Sequence, residues 1–535
     1  MLTWQNTGDP CTPETLTFVN HLMPTRIGYT TALGTGFLNG TNPSITATVD
    51  TGYSPRGLSY FDATGTQQLI FTLSKKIYRY PGNTDISRAA AYTNGYFSFA
   101  QYRDKIYGVN GADLLQKSTT GAFADVASTP KLTRIAVNGE YMAGINLVAN
   151  YTLASAAVVS ASAYRLMISA VGNPEQFDYS VDTTAFTQDI VNTGGPLTAI
   201  STLRDMFVVF QKSGVYVVES TGNPADPWAI RLVSDYYGCE WPDSVIEVNN
   251  VLYWISPTRS GEVCAFDGSQ ITVLSQALKS TIVDTSNVYV DSGFVTGTNA
   301  ELEGGLTAAT DGETIVWNRF VSSAFGIPDV AYSKQLYLNI ATGRFGYSDR
   351  MTLTSSLFGV FSNAWQNGML TVKCTQLSAG ANKFQAGYLT PLANSDCRVE
   401  LYRGSNVFNK ISNATLRFSE YVYPKEMVTE LAKIGGFSTN ALPAYTGTPS
   451  MIWASTKNSG DAISYPTVTA ASAPSATWNT NTSSIDISAS SIRGQSARTF
   501  AFVVFVQPVN SLTGITIDYA PAGNAQAGAK AGAWQ

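Results

Sequence analysis

The feature that most constrains this chain is a short polar turn followed by an apolar strand, repeated many times. It is clearest in Leu203–Gly268, where four short runs rich in β-branched and aromatic residues are bounded by Gly, Asn, Asp, Ser or Pro. These runs are Met206–Phe210, Val215–Val218, Val251–Ile255 and Val263–Phe266. Such runs are typical of antiparallel hairpins. Two hairpins in a unit of about 40 residues predict one blade of a β-propeller.

The same pattern recurs through most of the chain. Polar turns that precede an apolar strand lie near residues 75, 104, 138, 205, 250, 312, 343 and 367. Asn138-Gly139, between two apolar runs, is the strongest short hairpin signal. No helical pattern of useful length interrupts residues 55–390. The sequence therefore predicts an all-β fold, with a β-propeller of about five to seven blades over residues 55–395.

The segments on either side have a different composition. Residues 1–54 are rich in Thr, Gly and Asn and predict an extended N-terminal arm that packs on a neighbouring domain or subunit, with a floppy leader as the alternative. Residues 396–523 predict a C-terminal β-rich, β-sandwich-like domain. It contains one short helix, about 425–434, ended by Gly435. The low-complexity tail, 524–535, is expected to be loose.

Composition limits the possible partners. Charged residues make up only 13% of the 535 residues, about half of the usual share. Such a surface suits packing against protein neighbours, although an ordinary β-rich extracellular surface is an equal alternative. The net charge of −5 argues against a nucleic-acid-binding protein. The five widely spaced Cys contain no CxxC pair, which favours buried free thiols in a reducing cytosol over a zinc site or a disulfide framework.

Signals for export or for membrane insertion are not found in the sequence. The N-terminus lacks the basic and apolar regions of a secretory signal. No apolar run approaches the roughly 20 residues that a membrane-spanning helix needs. We therefore expect a soluble protein without its own export route and without membrane insertion.

Catalytic signals are also weak. The single His, His21, lies in the arm without a nucleophile or carboxylate motif, and no GxSxG, P-loop, HExxH or EF-hand pattern occurs. Propeller glycosidases use paired carboxylates, but the sequence cannot place two of Glu219, Asp226, Glu240 and Asp243 across one cleft. Strand aromatics such as Trp254 favour blade core over sugar stacking. The sequence predicts no catalytic residue, no cofactor and no metal.

Four passages taken in order resemble a known family. They are FAQYRDKIYGVNG, RLMISAVGNPEQFD, LTAISTLRDMFVVFQKSGVYVVES and GCEWPDSVIEVNNVLYWISPTRSGEVCAFDG, and the closing GITIDYAPAG adds to them. Together they are similar to the propeller-containing tail hub, nozzle or "stabilisation" proteins of short-tailed bacteriophages. The likeness covers roughly residues 55–270 well and the remainder only loosely. Each passage alone has a pattern that is common to many β-hairpins, and it is the order of the passages along the chain that indicates the resemblance.

The resemblance implies a structural virion protein of the phage tail, assembled in the host cytoplasm. It implies a ring, six copies in the family, below the portal and adaptor proteins and near the tail fibres or spikes. Genome DNA would leave through the ring without specific binding. The family suggests no catalytic residues. A receptor- or glycan-binding propeller and a glycan-cleaving propeller enzyme remain the alternatives.

One loop is predicted to serve assembly. Ser220–Trp241 lies between the two hairpins of the opening stretch and contains Trp228 and Trp241. Loops on a rigid scaffold are common binding positions. We therefore predict a subunit interface at Trp228 and Trp241.

Overall fold

The computed structural model describes the central part of the chain almost continuously. It covers residues 84–257 apart from 193, 224 and 225, and residues 262–275. With single gaps or short ones it also covers 22–31, 56–80, 306–321 and 332–351. Elsewhere it describes the backbone of separate strands only. In this described part the single helical element is a short 3-10 turn, Pro242–Ser244, so the predicted all-β fold is confirmed.

Four successive antiparallel sheets of four strands form the centre of the fold. We call each four-stranded unit a meander and number the meanders along the chain. The strands of meander 2 are Ser98–Tyr102, Lys105–Val109, Gln116–Ser118 and Ala124–Asp125. Those of meander 3 are Leu132–Asn138, Tyr141–Leu147, Ser162–Ile168 and Phe186–Asp189, with an added hairpin of Tyr151–Thr152 and Val158–Val159. Those of meander 4 are Leu197–Leu203, Met206–Gln211, Val215–Ser220 and Trp228–Ser234. Those of meander 5 are Ile246–Val248, Val251–Ser256, Glu262–Phe266 and Ile271–Val273.

Three further meanders belong to larger sheets. Meander 1 consists of Arg56–Phe61, Gln67–Leu73, Lys76–Tyr80 and Thr84–Asp85. Meander 6 consists of Leu306–Thr310, Thr314–Val321, Tyr332–Asn339 and Arg344–Met351. Meander 7 consists of Met369–Lys373, Ala386–Pro391, Asp396–Arg403 and, from the N-terminal arm, Gly34–Phe37. The first strand of meander 7 pairs in parallel with the first strand of meander 1.

The meanders follow one another around a common axis. The first strand of each meander contacts the first strand of the next, from meander 1 through meander 7. Their faces pack through shared apolar clusters, for example Ile145 and Leu166 of meander 3 against Val209 and Tyr216 of meander 4. Sheets that stack face to face around an axis, each with its first strand innermost, form a β-propeller. The predicted propeller architecture is thus observed.

The stretch Leu203–Gly268, predicted to be one blade, is divided between two meanders in the structure. Its four predicted strands are confirmed, but Leu203–Gly268 is not one blade. Its first hairpin contributes the two middle strands of meander 4, and its second the two middle strands of meander 5. The reason is that the first and last strands of each meander, such as Leu197–Leu203 and Trp228–Ser234, carry mixed polar and apolar residues. The apolar runs therefore mark middle strands and understate the length of a blade.

Strands from both ends of the chain pair with each other. The remaining strands of the arm are Thr3–Trp4, Thr15–Asn20, Leu22–Pro24, Tyr29–Thr31 and Ile45–Thr46. The C-terminal strands are Ala414–Phe418, Tyr421–Val422, Ala432–Pro443, Ser450–Thr456, Thr477–Asn479, Ser484–Asp486, Ser496–Ala497, Thr499–Val506, Val509–Pro521 and Ala529–Trp534. The arm joins meander 6 to the C-terminal strands in one sheet.

Two C-terminal predictions meet described residues. The predicted helix at 425–434 is wrong in its last turn, because Ala432 begins the strand Ala432–Pro443, and its earlier residues lie outside the described part. The long antiparallel pairing of this strand with Val509–Pro521 overrides the helical spacing of the sequence. Within the tail predicted to be loose, Ala529–Trp534 pairs as a strand with Val509–Pro521.

Candidate functional site: the axial cavity and the contacts between meanders

Two-residue turns fix the ends of the first strands. The pairs Tyr102–Lys105, Leu203–Met206 and Val248–Val251 each close a two-residue hairpin between the first and second strands of a meander. In the last of these, Asn249 and Asn250 both have positive φ, at 54° and 62°. That is the geometry of a type I′ turn, which Asn tolerates because its short side chain suits left-handed backbone. The polar turns near residues 104, 138, 205, 250 and 312 are thus the first hairpins of meanders 2 to 6. The turn near 75 joins the second and third strands of meander 1, and the turn near 343 joins the third and fourth strands of meander 6.

A cavity of about 340 Å³ lies among the first strands. Its walls come from the first strands of meanders 1 to 6 and from the turn before meander 5, and its polar side chains are Gln101, Ser201, Thr202, Asp243 and Glu247. Because the first strands of six successive meanders contribute to the wall, the cavity marks the axis of the propeller. The cavity exists because neighbouring meanders pack side by side and bring their first strands together.

The two carboxylates of the cavity are engaged in local structure. The Arg134 guanidinium lies 3.6 Å from the Asp243 carboxylate, and both side chains are largely buried. Glu247 Oε1 accepts the Asn250 backbone N–H at 2.7 Å, which supports the turn described above. A pair of carboxylates suited to glycoside hydrolysis needs one proton donor and one free base facing the same bond. The contacts of Asp243 and Glu247 do not match that arrangement.

Two of the other carboxylates considered from the sequence, Glu240 and Glu219, have separate partners. Glu240 accepts from Lys212 at 2.9 Å, and Glu219 lies 3.8 Å from Arg231. Among the residues that the structure describes, no group of three or more His, Cys, Asp or Glu side chains could hold a metal ion. Nor does any helix in this part have the length and apolar character to cross a membrane. His21 lies outside the described residues.

Trp228 and Trp241 do not lie on the surface predicted for them. Trp228 is 4% exposed and begins the last strand of meander 4, where its ring packs edge-on against Tyr141 of meander 3 with centroids 4.9 Å apart. Trp241 is 3% exposed, and its carbonyl accepts the Ser244 hydroxyl at 2.7 Å. The predicted subunit interface at these residues is therefore corrected, since both indoles are buried within the chain. The loop Ser220–Trp241 contains the strand Trp228–Ser234, which closes meander 4.

The Gly-Asn-Pro-Glu passage instead makes a contact between meanders, which sequence reasoning missed. Glu175 of meander 3 accepts from Lys117 at 2.8 and 3.0 Å and from the Tyr107 hydroxyl at 2.8 Å, both in meander 2. Desolvation on burial, the largest single effect, raises the pKa of Glu175, but the hydrogen bonds from Lys117 and Tyr107 lower it overall. Glu175 stays charged and ties the two meanders together. Only its place beside a turn motif could have indicated this role.

A second such contact surrounds Arg88, in the segment that links meanders 1 and 2. Its guanidinium donates to Asp113 at 2.9 Å and to Asp125, and only 12% of the Arg88 side chain is exposed. Asp113 also accepts the Thr93 backbone N–H at 2.9 Å and the Asn110 side-chain amide at 2.7 Å. We call Arg88, Asp113 and Asp125 the Arg88 cluster. It fixes the linking segment on meander 2.

The Arg88 cluster predicts a pH dependence of stability. Desolvation, the largest effect, raises the pKa of Asp113, but hydrogen bonds from Asn110, Thr93 and Arg88 lower it overall. A carboxyl whose pKa is lower in the native state stabilises the fold above its unfolded pKa of about 3.9, and this stabilisation is lost as the pH falls further. We expect urea unfolding at pH 7, 4 and 3 to show a smaller acid loss for Asp113→Asn than for the wild type. Equal losses would contradict the assignment.

Both cysteines with described side chains are buried free thiols, as the sequence predicted for this residue type. Cys239 and Cys264 lie in the apolar cluster between meanders 4 and 5. Burial raises the pKa of the Cys239 thiol to about 12 and also raises the pKa of the Cys264 thiol. Burial in an apolar cluster and a raised pKa are typical of structural thiols of low reactivity.

Comparisons with known proteins give fold likeness only. No family model and no curated protein matches this chain. AztD of Citrobacter koseri is similar in structure with a TM-score of 0.27 and 10% identity, covering 63% of this chain and 97% of AztD. A fungal lectin from Aleuria aurantia, a six-bladed β-propeller with fucose recognition, has a TM-score of 0.26 and 11% identity, covering 56% of this chain and 96% of the lectin. A neuraminidase-like protein of a bat influenza virus has a TM-score of 0.28 and 10% identity, covering 74% of this chain and 96% of that protein. At these TM-scores neither a blade number nor a ligand can be transferred.

Proposed function

We propose that this chain is a structural protein of a short-tailed phage tail, a nozzle or hub that forms a ring below the portal and adaptor. The proposal rests on the structural role of the passages that resemble this family. Tyr107, Glu175 and Trp254 all lie in these passages, and each makes a contact that holds two neighbouring meanders together. Residues in these passages therefore hold the meanders rigidly against one another. That is what a structural ring subunit requires.

We further propose that each meander is one blade, which gives seven blades, the upper end of the range predicted from the sequence. The seventh blade takes its outer strand from the arm, where Gly36 pairs with Leu401. Its innermost strand pairs with that of the first blade, through Val372 and Gly57. Closing a propeller with strands from both ends of the chain removes open sheet edges. The C-terminal strands would form the β-sandwich-like domain predicted after the propeller.

In this proposal the genome passes between copies of the chain and not through the propeller. The major groove of B-form DNA alone is about 12 Å wide. A cavity of about 340 Å³ is too small to pass such a duplex. The lumen of the ring would be weakly acidic, in line with the net charge of −5, so that DNA slides without sticking. The protein would be assembled in the host cytoplasm and would contact portal, adaptor and tail fibre or spike proteins.

Electron microscopy of the purified full-length chain tests the function. We expect negatively stained rings, six-fold in the resembling family, that bind isolated portal–adaptor complexes. The control is the same chain at a concentration below the association midpoint, where rings should dissolve. A monomer at all concentrations that also fails to bind portal–adaptor complexes would count against the proposal. Saturable binding on a glycan array by such a monomer would favour a receptor-binding propeller instead.

A further inference from the structure

The N-terminal arm covers the outer edge of meander 6. Leu22–Pro24 and Tyr29–Thr31 form a hairpin whose turn is closed by the Thr25 N–H donating to the Gly28 carbonyl at 2.7 Å. Leu22 pairs with Tyr347 in Arg344–Met351, the last strand of meander 6. An uncovered edge strand presents unpaired backbone groups and accepts strands from other chains. The hairpin therefore occupies a surface that is able to accept a strand.

Two side chains anchor the hairpin. Tyr29 is fully buried, and its hydroxyl donates to the Phe345 carbonyl at 3.0 Å. Arg26, 71% exposed, donates to Glu313 at 2.9 Å on the turn between the first two strands of meander 6. The buried contact sets the position, and the exposed ion pair adds little free energy. Tyr29 is thus the contact on which attachment of the hairpin depends.

The arm reaches these partners from a distant part of the chain. Its strands pair with residues more than 300 positions later, and Gly34–Phe37 adds to meander 7 next to the hairpin. Ile45–Thr46 also pairs with the Asp396–Arg403 strand of meander 7, and the residues between it and meander 1, 47–55, can span about 30 Å when extended at about 3.3 Å per residue. A tether of that reach does not restrict the arm to its own meanders. The same contacts are available to an arm from a neighbouring chain.

We infer that the outer edges of meanders 6 and 7 are an acceptor surface for the arm of a second copy of this chain. Exchange of an identical element keeps every contact of the closed subunit and is a low-cost route to association. The acceptor surface is specific for this arm because it combines strand pairing with a buried tyrosine hydroxyl site and an acidic residue facing Arg26. The inference does not depend on a role in a phage tail.

An arm-exchange experiment on the full-length chain tests the inference. A protease site placed between Asn39 and Gly40 allows the arm to be cut after folding. We expect a fluorescent peptide of residues 1–37 to exchange into the cut protein, and the same peptide with Tyr29→Ala to bind at least tenfold more weakly. Uncut chains with two different tags should co-purify after mixing, and Tyr29→Ala in both chains should reduce the yield at least tenfold.

The controls separate arm exchange from other association. Tyr29→Phe keeps the ring and removes the hydroxyl bond, and we expect a loss of about fivefold. The Tyr29→Phe variant is used in place of Tyr29→Ala if thermal unfolding of Tyr29→Ala is not cooperative, which would show that the Ala variant does not fold. Lack of peptide exchange, or co-purification that is unchanged by both Tyr29 variants, would overturn the inference. A ring seen by microscopy with no arm exchange would overturn it and leave the proposed function intact.

Discussion

Replacing Arg88 with Ala should lower the free energy of unfolding by about 3 kcal/mol, the lower end of the range for a broken buried ion pair, because Asp113 is buried whereas Asp125 is 43% exposed. Beyond Asp113 and Asp125, the guanidinium donates to the Ala90 carbonyl at 3.1 Å and to the Ala91 carbonyl at 3.0 Å. Without the cation, the Asp113 carboxylate stays buried without its opposite charge. The measurement is urea unfolding of both proteins at pH 7.

The matched control for Arg88 is Arg103, which is paired with a carboxylate at the surface. Arg103 donates to Glu140 at 2.6 Å, but the two side chains are 63% and 51% exposed. Exposed pairs contribute about 0–1 kcal/mol. We expect Arg103→Ala to cost less than about 1 kcal/mol. Similar losses for the two arginine variants would show that the Arg88 cluster does not hold the linking segment.

Replacing Trp254 with Ala should cost about 3–5 kcal/mol, the range for a large buried aromatic side chain. Trp254 is fully buried between meanders 4 and 5, with its ring centroid 5.3 Å from that of Phe210. Its indole N–H donates to the Gly238 carbonyl at 3.0 Å. A Cβ at Gly238 would lie 2.2 Å from the Gln211 carbonyl, so this close approach requires glycine. The loss combines a cavity with an unpaired carbonyl.

Two variants sort these contributions. Trp254→Phe keeps most of the apolar volume and removes the hydrogen bond, so we expect roughly 1–3 kcal/mol. Val191→Ala, at a side chain that is 74% exposed, should change stability by less than about 0.5 kcal/mol. Guanidinium unfolding of the three variants would check the order. A loss below about 1 kcal/mol for Trp254→Ala would contradict the packing of meander 4 on meander 5.

The middle strands of the propeller could be predicted from the sequence because they are buried on both faces. Met206–Gln211 and Val251–Ser256 read as continuous apolar runs between polar turns, and the burial of Trp254 follows from the same pattern. Outer strands such as Trp228–Ser234 are half exposed, and their mixed composition resembles a loop. That is why the blade limits, and with them the role of Trp228, were predicted wrongly.

Contacts between distant residues could not be read from the sequence. Glu175 and Lys117 lie 58 positions apart, and Tyr29 and Phe345 lie 316 positions apart. Local patterns specify strands and turns, whereas these pairs depend on how meanders stack and on where the arm returns. The axial cavity likewise could not be predicted from local sequence patterns, because its walls come from distant parts of the chain. Asp243 enters its wall only because the turn before meander 5 packs against first strands from other meanders.

A cryo-electron microscopy reconstruction of the assembled full-length chain tests the central claim most directly. The account predicts a ring in which every propeller axis is closed by its first strands, and in which the lumen lies between subunits with a neutral or weakly acidic lining. A reconstruction in which the propeller axis opens into a continuous channel, or in which the lumen is strongly basic, would contradict it.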